Sequence, residues 1–427
     1  MPQYPRYITK SVLTALADTP VVVLHGPRQA GKSTLVQRLA AGEHPAQYLT
    51  LDRAGVLSAA RNDPEGFIAA HREPLVIDEV QRVPELLLAI KAEVDRDRRP
   101  GRFLLTGSAN ILQLPRLAET LVGRMQVLTL HPLSQGELAR TREGFIDTVF
   151  SEALPTPKST PVRKAKARSR TSIFSRVLRG GYPEAVTRKT EERRREWFDS
   201  YLNTLVLRDV RDLSNIMGLS DLPRLLLLIA ARVGSLVNYA ELARDAALNQ
   251  MTLKRYLTML QAVFLAWTVR PWFTNRSKRI MKSEKLYLGD TGLLAHLLDI
   301  GAGDLRSSSP GIGPLLENFV ALELLKQRSW SNTRPEILHF RGYSGAEVDL
   351  ILEAKGGRRL VGIEVKAGAT VRSDDFKGLH ALAKTAGQRF HRGILLHTGE
   401  EVIPFGSEMY AMPVSSLWQV GIQHGRR

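Results

Sequence analysis

The stretch Gly26-Pro27-Arg28-Gln29-Ala30-Gly31-Lys32-Ser33-Thr34 decides how the rest of the chain is read. Two glycines bracket four residues, and a lysine and a hydroxyl follow. The apolar run Val21 to His25 before it reads as a buried parallel strand, and Leu35 to Ala41 after it reads as the start of a helix. Strand, glycine-bounded loop and helix in that order make the phosphate-loop pattern. Its successive backbone N–H groups can curl around phosphates, and the helix N-terminus adds its positive end. Lys32 is placed to reach the β- and γ-phosphates of a nucleotide, Ser33 to ligate Mg²⁺, and Thr34 to add a phosphate contact.

At 427 residues, 43% of them hydrophobic, the chain has room for two to four cored domains. It has no cysteine, which excludes disulfides, thiolate metal sites and cysteine nucleophiles and fits a reducing compartment. No signal-peptide core stands at the N-terminus, and no apolar run approaches the ~20 residues of a membrane helix. A cytoplasmic protein without a membrane partner is therefore expected. The net charge of +17 favours a polyanionic partner, most simply nucleic acid. An arginine-rich source composition, or anionic lipid, would account for the same charge.

Downstream, Gln47 to Leu51 reads as a second strand. Leu75-Val76-Ile77-Asp78-Glu79 runs three apolar residues into two carboxylates at a strand's C-terminal end, where ligands sit in a parallel sheet. Asp78 can hold the Mg²⁺ shell, and Glu79 can polarise the attacking water. Arg102 to Leu105 is another strand, ending in Thr106-Gly107-Ser108-Ala109-Asn110. Ser108 or Asn110 there can orient water, or the segment can be a turn and helix cap. Arg124 can serve a neighbouring subunit's γ-phosphate or be a surface arginine.

Gly-Pro-Arg-Gln-x-Gly-Lys-Ser-Thr, Ile-Asp-Glu-Val-Gln, Leu-Thr-Gly-Ser and Gly-Arg before Pro-Leu-Ser together resemble a prokaryotic family of AAA-type ATPases. That family carries a restriction-nuclease-like C-terminal domain. Gly180-Gly181-Tyr182-Pro183-Glu184 and Arg208-Asp209-Val210 resemble its middle, and Glu317-Asn318-Phe319-Val320 and Glu347-Val348-Asp349-Leu350 its tail. The resemblance spans nearly the whole chain. It implies ATP as the nucleotide, Walker B and sensor residues at Asp78, Glu79 and Ser108, an arginine finger at Arg124, and a homo-oligomer, possible as a ring.

The expected fold class is α/β, in six segments. Residues 1–150 form the AAA-type ATPase core, and 151–172 a basic flexible insertion with Arg163, Lys164, Lys166, Arg168 and Arg170 among prolines. That insertion suits a sliding contact with nucleic acid or a solvated loop equally. Residues 173–218 form a helical lid, in which Arg208 or Arg211 can act as a second arginine sensor. Residues 219–292 form a winged helix, 293–313 a linker, and 314–427 a restriction-nuclease-like domain of order αβββαβ. In the winged helix, Leu253, Tyr256, Leu257 and Leu260 make the buried stripe of the third helix. Thr252, Lys254 and Arg255 then face outward. A basic wing carries Arg276, Lys278, Arg279 and Lys282. This arrangement suits DNA, and it also suits protein contacts or a rigid spacer.

In the tail, Glu364 and Lys366 share one face of a strand, and Asp349 lies within the neighbouring strand. A strand aspartate beside Glu-x-Lys is the metal-site pattern of restriction-type nucleases, with Asp349 and Glu364 as Mg²⁺ ligands, Lys366 at the water and Glu317 as an additional acid. Exposed ladder pairs give the same residues, and such a fold can persist without cleavage. The expected function is a Mg²⁺-dependent ATP hydrolase that remodels or translocates on duplex or branched DNA. The alternatives are an ATP-gated metal-dependent DNA nuclease, or an ATP-dependent winged-helix regulator binding protein or operator DNA.

Overall fold

The computed structural model describes residues 3–108, 121, 123–152, 154, 170–205, 221–275, 277, 279, 282–304, 311–342 and 345–420. They form two compact units. One contains Arg6–Leu133 with Thr258–Leu265, and the other Met1–Pro5, Ser134–Leu257 and Ala266–Arg427.

The first unit is a parallel sheet covered on both faces. Its elements are α1 (Thr9–Asp18), β1 (Val21–His25), α2 (Lys32–Ala41), β2 (Gln47–Thr50), α3 (Ala54–Asn62), α4 (Pro64–Ala69), β3 (Leu75–Asp78), α5 (Leu86–Arg96), β4 (Phe103–Gly107) and β5 (Met125–Thr129). The strands lie in the order β2-β3-β4-β1-β5, and every pairing is parallel. Strand residues alternate faces, so an unbroken apolar run supplies two cores at once. Val21 and Val23 join Ile77, Phe103 and Leu105 with α5 on one side. Val22 and Leu24 join Val76, Leu104, Leu35 and Val36 on the other. Asp63 caps α4 by accepting from the Gly66 N–H at 2.8 Å.

The second unit begins with helices α6 (Gln135–Ala139), α7 (Phe145–Val149), α8 (Arg170–Arg179), α9 (Pro183–Thr187) and α10 (Glu191–Thr204). Tyr182, Trp197, Phe198 and Tyr201 pack as one aromatic cluster, and Tyr182 and Tyr201 share a hydrogen bond of 2.9 Å. Next come α11 (Leu222–Ala230), α12 (Tyr239–Asp245) and α13 (Gln250–Ala262). Leu253, Tyr256, Leu257 and Leu260 of α13 are buried, as their helical spacing leads one to expect.

β6 (Ala266–Pro271) and β7 (Lys285–Leu288) pair antiparallel, with Ala266 opposite Leu288. They do not stand alone. Arg270 and Pro271 pair in parallel with Leu338 and His339 of β8 (Glu336–Arg341), so β6 and β7 end a single eight-stranded sheet. After α14 (Thr291–Leu297) and α15 (Ile312–Arg328), that sheet continues through β9 (Glu347–Glu353), β10 (Leu360–Lys366), α16 (Lys377–Ala386), β11 (Phe390–His397), β12 (Ile403–Pro404) and β13 (Met409–Pro413). The short α17 (Ser416–Gln419) follows. The strand order is β12-β13-β11-β10-β9-β8-β6-β7. Gly362 lets α16 close onto β10, because a Cβ there would meet Leu379 and Leu382 side-chain carbons at 2.7 and 2.8 Å. No helix among the described residues is long and apolar enough to cross a membrane.

Candidate functional site

The phosphate loop leaves the C-terminal end of β1, where three strand ends converge. The Gly26 N–H donates to Gly107 at 3.3 Å, and the Leu130 N–H donates to His25 at 2.8 Å. A Cβ at Gly26 would stand 2.1 Å from the Leu130 carbonyl oxygen, so β1 and the segment after β5 can approach this closely only with glycine. Gly31 caps α2 with φ of 95°, and Gln29 is also left-handed, with φ of 61°. Pro27 and Ala30 are buried, Arg28 and Ser33 are half-buried, and Gln29 and Thr34 are exposed. Lys32 is buried, its ammonium donating to the Gly26 and Pro27 carbonyls at 3.0 Å each. Arg6, which the sequence pattern did not single out, braces the loop from outside. Its guanidinium donates to Ala30 at 2.8 Å and to His131 at 2.5 Å.

Asp78 ends β3 directly across from α2. It accepts from Ser33 Oγ at 3.1 Å, from Tyr48 at 2.9 Å and from Thr106 Oγ1. Burial and the Asp78 charge push the Tyr48 phenol up to about 12, so it stays a donor to that carboxylate. Glu79 adopts φ of 61°, a conformation uncommon outside glycine, and its N–H is tied to Thr106 Oγ1 at 3.0 Å. Gln81 donates both to Glu79 Oε2 and, at 3.0 Å, to Ser108 Oγ. Tyr48, Gln81 and Thr106 escaped the sequence reading, although Thr106 sits in a strand-end position that could have flagged it. The Asp78 and Ser33 oxygens form the hard donor set that fits Mg²⁺, beside a buried ammonium suited to phosphate.

His25 closes this site from below. Its ring is buried, shares a hydrogen bond of 2.8 Å with Thr129 Oγ1 and meets Phe264 edge-on at 5.2 Å. Burial, and then the Lys32 charge, lower it to about 4. Arg124 lies at the entry to β5 and is paired with Asp95 at 2.5 Å. Asn110, Arg208, Arg211 and most of the basic insertion lie outside the described residues.

In the second unit, Lys254 and Arg255 are exposed on α13, Lys254 lying 5.4 Å over the Tyr239 ring. Thr252 is half-buried, and its N–H caps onto Asn249 Oδ1 at 2.8 Å. Arg276 and Lys278 lie outside the described residues. Arg279 requires a correction: it is not an outward wing contact. Its side chain is buried and grips Glu353 with two hydrogen bonds of 2.6 and 2.9 Å. The reason is the continuation of β6 into the sheet. Trp272 follows it into the core, and the buried Glu353 carboxylate needs a counterion.

The four tail residues come together with a fifth that the sequence reading missed. Lys285 of β7 sends its ammonium between Glu317 Oε1 at 3.0 Å and Asp349 Oδ1 at 3.2 Å. Tyr287 donates to Glu317 at 2.6 Å, and the Val365 N–H donates to Asp349 Oδ2 at 2.9 Å. Burial disfavours the Lys285 charge, but Asp349 and Glu317 outweigh it and hold its pKa above the usual value. Burial and repulsion from Asp349 raise Glu317 to about 7 and Glu364 to about 8. Lys366 stands 3.6 Å from Glu364 and 3.9 Å from Asp375.

The Lys285 ammonium lies between Glu317 and Asp349, while Glu364 Oε2 is buried without a hydrogen-bond partner. Among the described residues no group of three or more His, Asp or Glu is placed to hold a metal. Asp349 and Glu364 stand close enough for the Asp349 charge to help raise Glu364.

The first unit's parallel sheet, phosphate loop and facing carboxylate define a P-loop ATPase of the AAA type. Residues 18–139 match the AAA domain family. Residues 170–304 and 312–417 match two domains of unknown function, DUF8612 and DUF4143. An uncharacterized protein of Mycobacterium tuberculosis is 30% identical over 408 residues, covering 95% of this chain and 83% of its own. The chain belongs to the same family as this mycobacterial protein, and its own AAA domain makes it an AAA-type P-loop ATPase. An uncharacterized protein of Haemophilus influenzae is 22% identical over 265 residues, covering 59% of this chain and 57% of its own. Two solved structures are more distant, at 12% identity each. One is a signal transduction ATPase with a tetratricopeptide repeat sensor from Pyrococcus horikoshii, with a TM-score of 0.24 over 76% of this chain and 50% of that one. The other is the Drosophila ORC bound to AT-rich DNA and Cdc6, with a TM-score of 0.21 over 68% and 92%. Neither score is high enough to carry an argument. The AAA domain supports ATP binding and hydrolysis as the general activity.

Proposed function

We propose that the protein is a Mg²⁺-dependent ATP hydrolase that works on DNA as an oligomeric remodeller or translocase. The convergence of Lys32, Ser33, Asp78 and Glu79 on one strand-end cleft carries this reading, with Ser33 Oγ 3.1 Å from Asp78 Oδ1. Ser33 and Asp78 would hold Mg²⁺, which supplies charge neutralisation on the phosphates. Lys32 releases its two loop carbonyls to meet the β- and γ-phosphates. Glu79, fixed through its N–H and through Gln81, orients the attacking water, and Ser108 shares that Gln81 contact. Arg124 serves a neighbouring subunit after exchanging its solvent-screened Asp95 partner for the γ-phosphate.

DNA enters the reading through the helix-turn-helix of α12 and α13, which exposes Lys254 and Arg255 and is followed by the β6–β7 hairpin as its wing. The eight-stranded sheet is restriction-nuclease-like in its αβββαβ order, and in our reading it is a binding platform. Lys285 neutralises Glu317 and Asp349 together, and the ATP-gated nuclease with Asp349 and Glu364 as ligands is the second reading.

The test is ATP hydrolysis by wild type and Lys32→Ala with single strands, duplex, forks and four-way junctions, strand integrity being followed in the same tubes. Hydrolysis lost in Lys32→Ala and stimulated by one DNA shape without cleavage is the expected result. Hydrolysis indifferent to every DNA defeats the DNA reading, and strand cleavage restores the nuclease.

A further inference from the structure

A cavity of about 470 Å³ opens in the second unit at the end of β9 away from the Asp349 cluster. It lies between β6, the last turn of α15, the start of β8 and the turn after β9, and Trp267, Arg270, Arg328, Arg334, Glu336 and Lys355 line it. Asp349 and Glu353 are four residues apart along β9, which separates the cavity from the ion cluster by ~13 Å at the usual rise per strand residue.

The charges around it are unbalanced. Glu336 already holds Arg270 at 2.5 Å, and Glu353, which also lines the cavity, already holds Arg279. Arg334 and Lys355 are exposed and make no ion pair among the described residues, and Arg328 shares the field of the single Glu336 carboxylate with Arg270. The last turn of α15 disfavours an anion by about half a charge, far less than these three cations supply. Arg334 is held left-handed at φ of 42°, its N–H bonded to Ser331 Oγ at 3.1 Å. Backbone strain of this kind persists where surrounding structure imposes it, and a ligand-facing loop is one such place. Finally, the indole of Trp267 packs on Tyr287 at 5.3 Å, yet its buried Nε1–H has no hydrogen-bond partner.

We propose that this cavity binds a nucleoside phosphate, as a free mononucleotide or as one unit of a single strand. The volume falls within the ~300–1,000 Å³ of small-ligand sites and is too narrow for a duplex. The guanidinium forks of Arg328 and Arg334 recognise phosphate oxygens, with Lys355 as a further point charge. The base lies against the Trp267 ring, which lines the cavity. An acidic peptide would satisfy the cations but leave the ring unused. The inference stands apart from the ATPase reading, since neither Lys32 nor Asp78 takes part.

The test uses full-length Lys32→Ala protein, so that the phosphate loop does not compete for nucleotide. The probe is a 5′-phosphorylated oligothymidylate labelled at its 3′ end, with thymidine monophosphate, inorganic phosphate and a polyglutamate peptide as competitors. The same oligonucleotide carrying 5-iododeoxyuridine is photocrosslinked and the adduct mapped by mass spectrometry. Arg328→Glu/Arg334→Glu, both at exposed positions, should weaken binding at least 10-fold, and the adduct should map to Trp267. Trp267→Phe should keep binding within about 3-fold while cutting the adduct yield. Competition by the monophosphate identifies a free nucleotide as sufficient, and competition by longer strands alone identifies the strand. Oligonucleotide binding changed less than 2-fold by the charge reversal, or an adduct mapped elsewhere, overturns the proposal. Polyglutamate binding lost in its place also overturns it, in favour of an acidic peptide. ATP hydrolysis of the same charge reversal with Lys32 intact is read separately, so failure of one reading is not failure of the other.

Discussion

Replacing Lys285 with methionine should be among the costliest single changes in the second unit. The ammonium is 6% exposed and lies 3.0 and 3.2 Å from carboxylates that are 15% and 17% exposed. At an effective dielectric of about 20, each contact is worth ~5 kcal/mol of attraction, most of which the loss of hydration cancels. Methionine fills similar volume but leaves the Asp349 charge without its counterion, and Glu317, already raised to about 7 by burial and Asp349, goes neutral beside it. Breaking a buried pair from one side costs ~3–5 kcal/mol, which for a unit of this size is a fall in Tm on the order of 10 °C. The assay is urea unfolding of the full chain followed by tryptophan fluorescence, Trp267 lying against Tyr287 on the same hairpin. The triple variant Lys285→Met/Glu317→Gln/Asp349→Asn should recover most of the loss, because neutralising all three charges removes the imbalance. A single variant that costs under ~1 kcal/mol would refute the reasoning, as would a triple variant no more stable than the single. Either result would mean that solvent or a metal, not Lys285, balances this cluster.

Acid sensitivity follows from two histidines. His25 and His339 are lowered from 6.5 to about 4 by burial, with Lys32 and Lys285 respectively adding repulsion. The folded chain therefore binds fewer protons than the unfolded one between those values, and stability present above pH 6.5 drains away as pH falls toward 4. By pH 5 each should cost about 2 kcal/mol, read as a urea midpoint difference from pH 7 that shrinks in His25→Gln and His339→Gln. Arg279→Met should destabilise by ~3–5 kcal/mol through the stranded Glu353, while DNA affinity of the folded protein changes less than 2-fold by fluorescence anisotropy. A large affinity loss with unchanged stability would return Arg279 to the interface. Gly26→Ala should force the Leu130 carbonyl away, costing ~1–3 kcal/mol, and should weaken nucleotide binding at least 10-fold in a fluorescent-nucleotide titration.

What the sequence made legible tracks what is local. The phosphate loop is a contiguous pattern because a tight turn, a phosphate cradle and a helix start all demand specific neighbours along the chain. The α13 stripe is visible because burial on one helix face imposes its period on Leu253, Tyr256, Leu257 and Leu260. Arg279 was misplaced for the opposite reason. Read locally, it is one more cation in a basic turn, and only the partner 74 residues away makes it a buried ion. Lys285 carries no local mark either, since a lysine opening a strand is ordinary until Glu317 and Asp349 close on it from 32 and 64 residues downstream. Arg6 braces a loop 24 residues on through a backbone carbonyl, which leaves no trace in residue type at the far end.

The same long-range pairing changes how the second unit can work. A wing built as a free hairpin would move with its helix-turn-helix alone. Here Arg270 and Pro271 are laddered to β8, Arg279 is locked to Glu353 of β9, and Lys285 is locked to Asp349 of β9 and Glu317 of α15. Three buried ion pairs and a shared sheet edge make the hairpin part of the tail sheet. Displacing it alone would expose charged groups that are now matched, at several kcal/mol each.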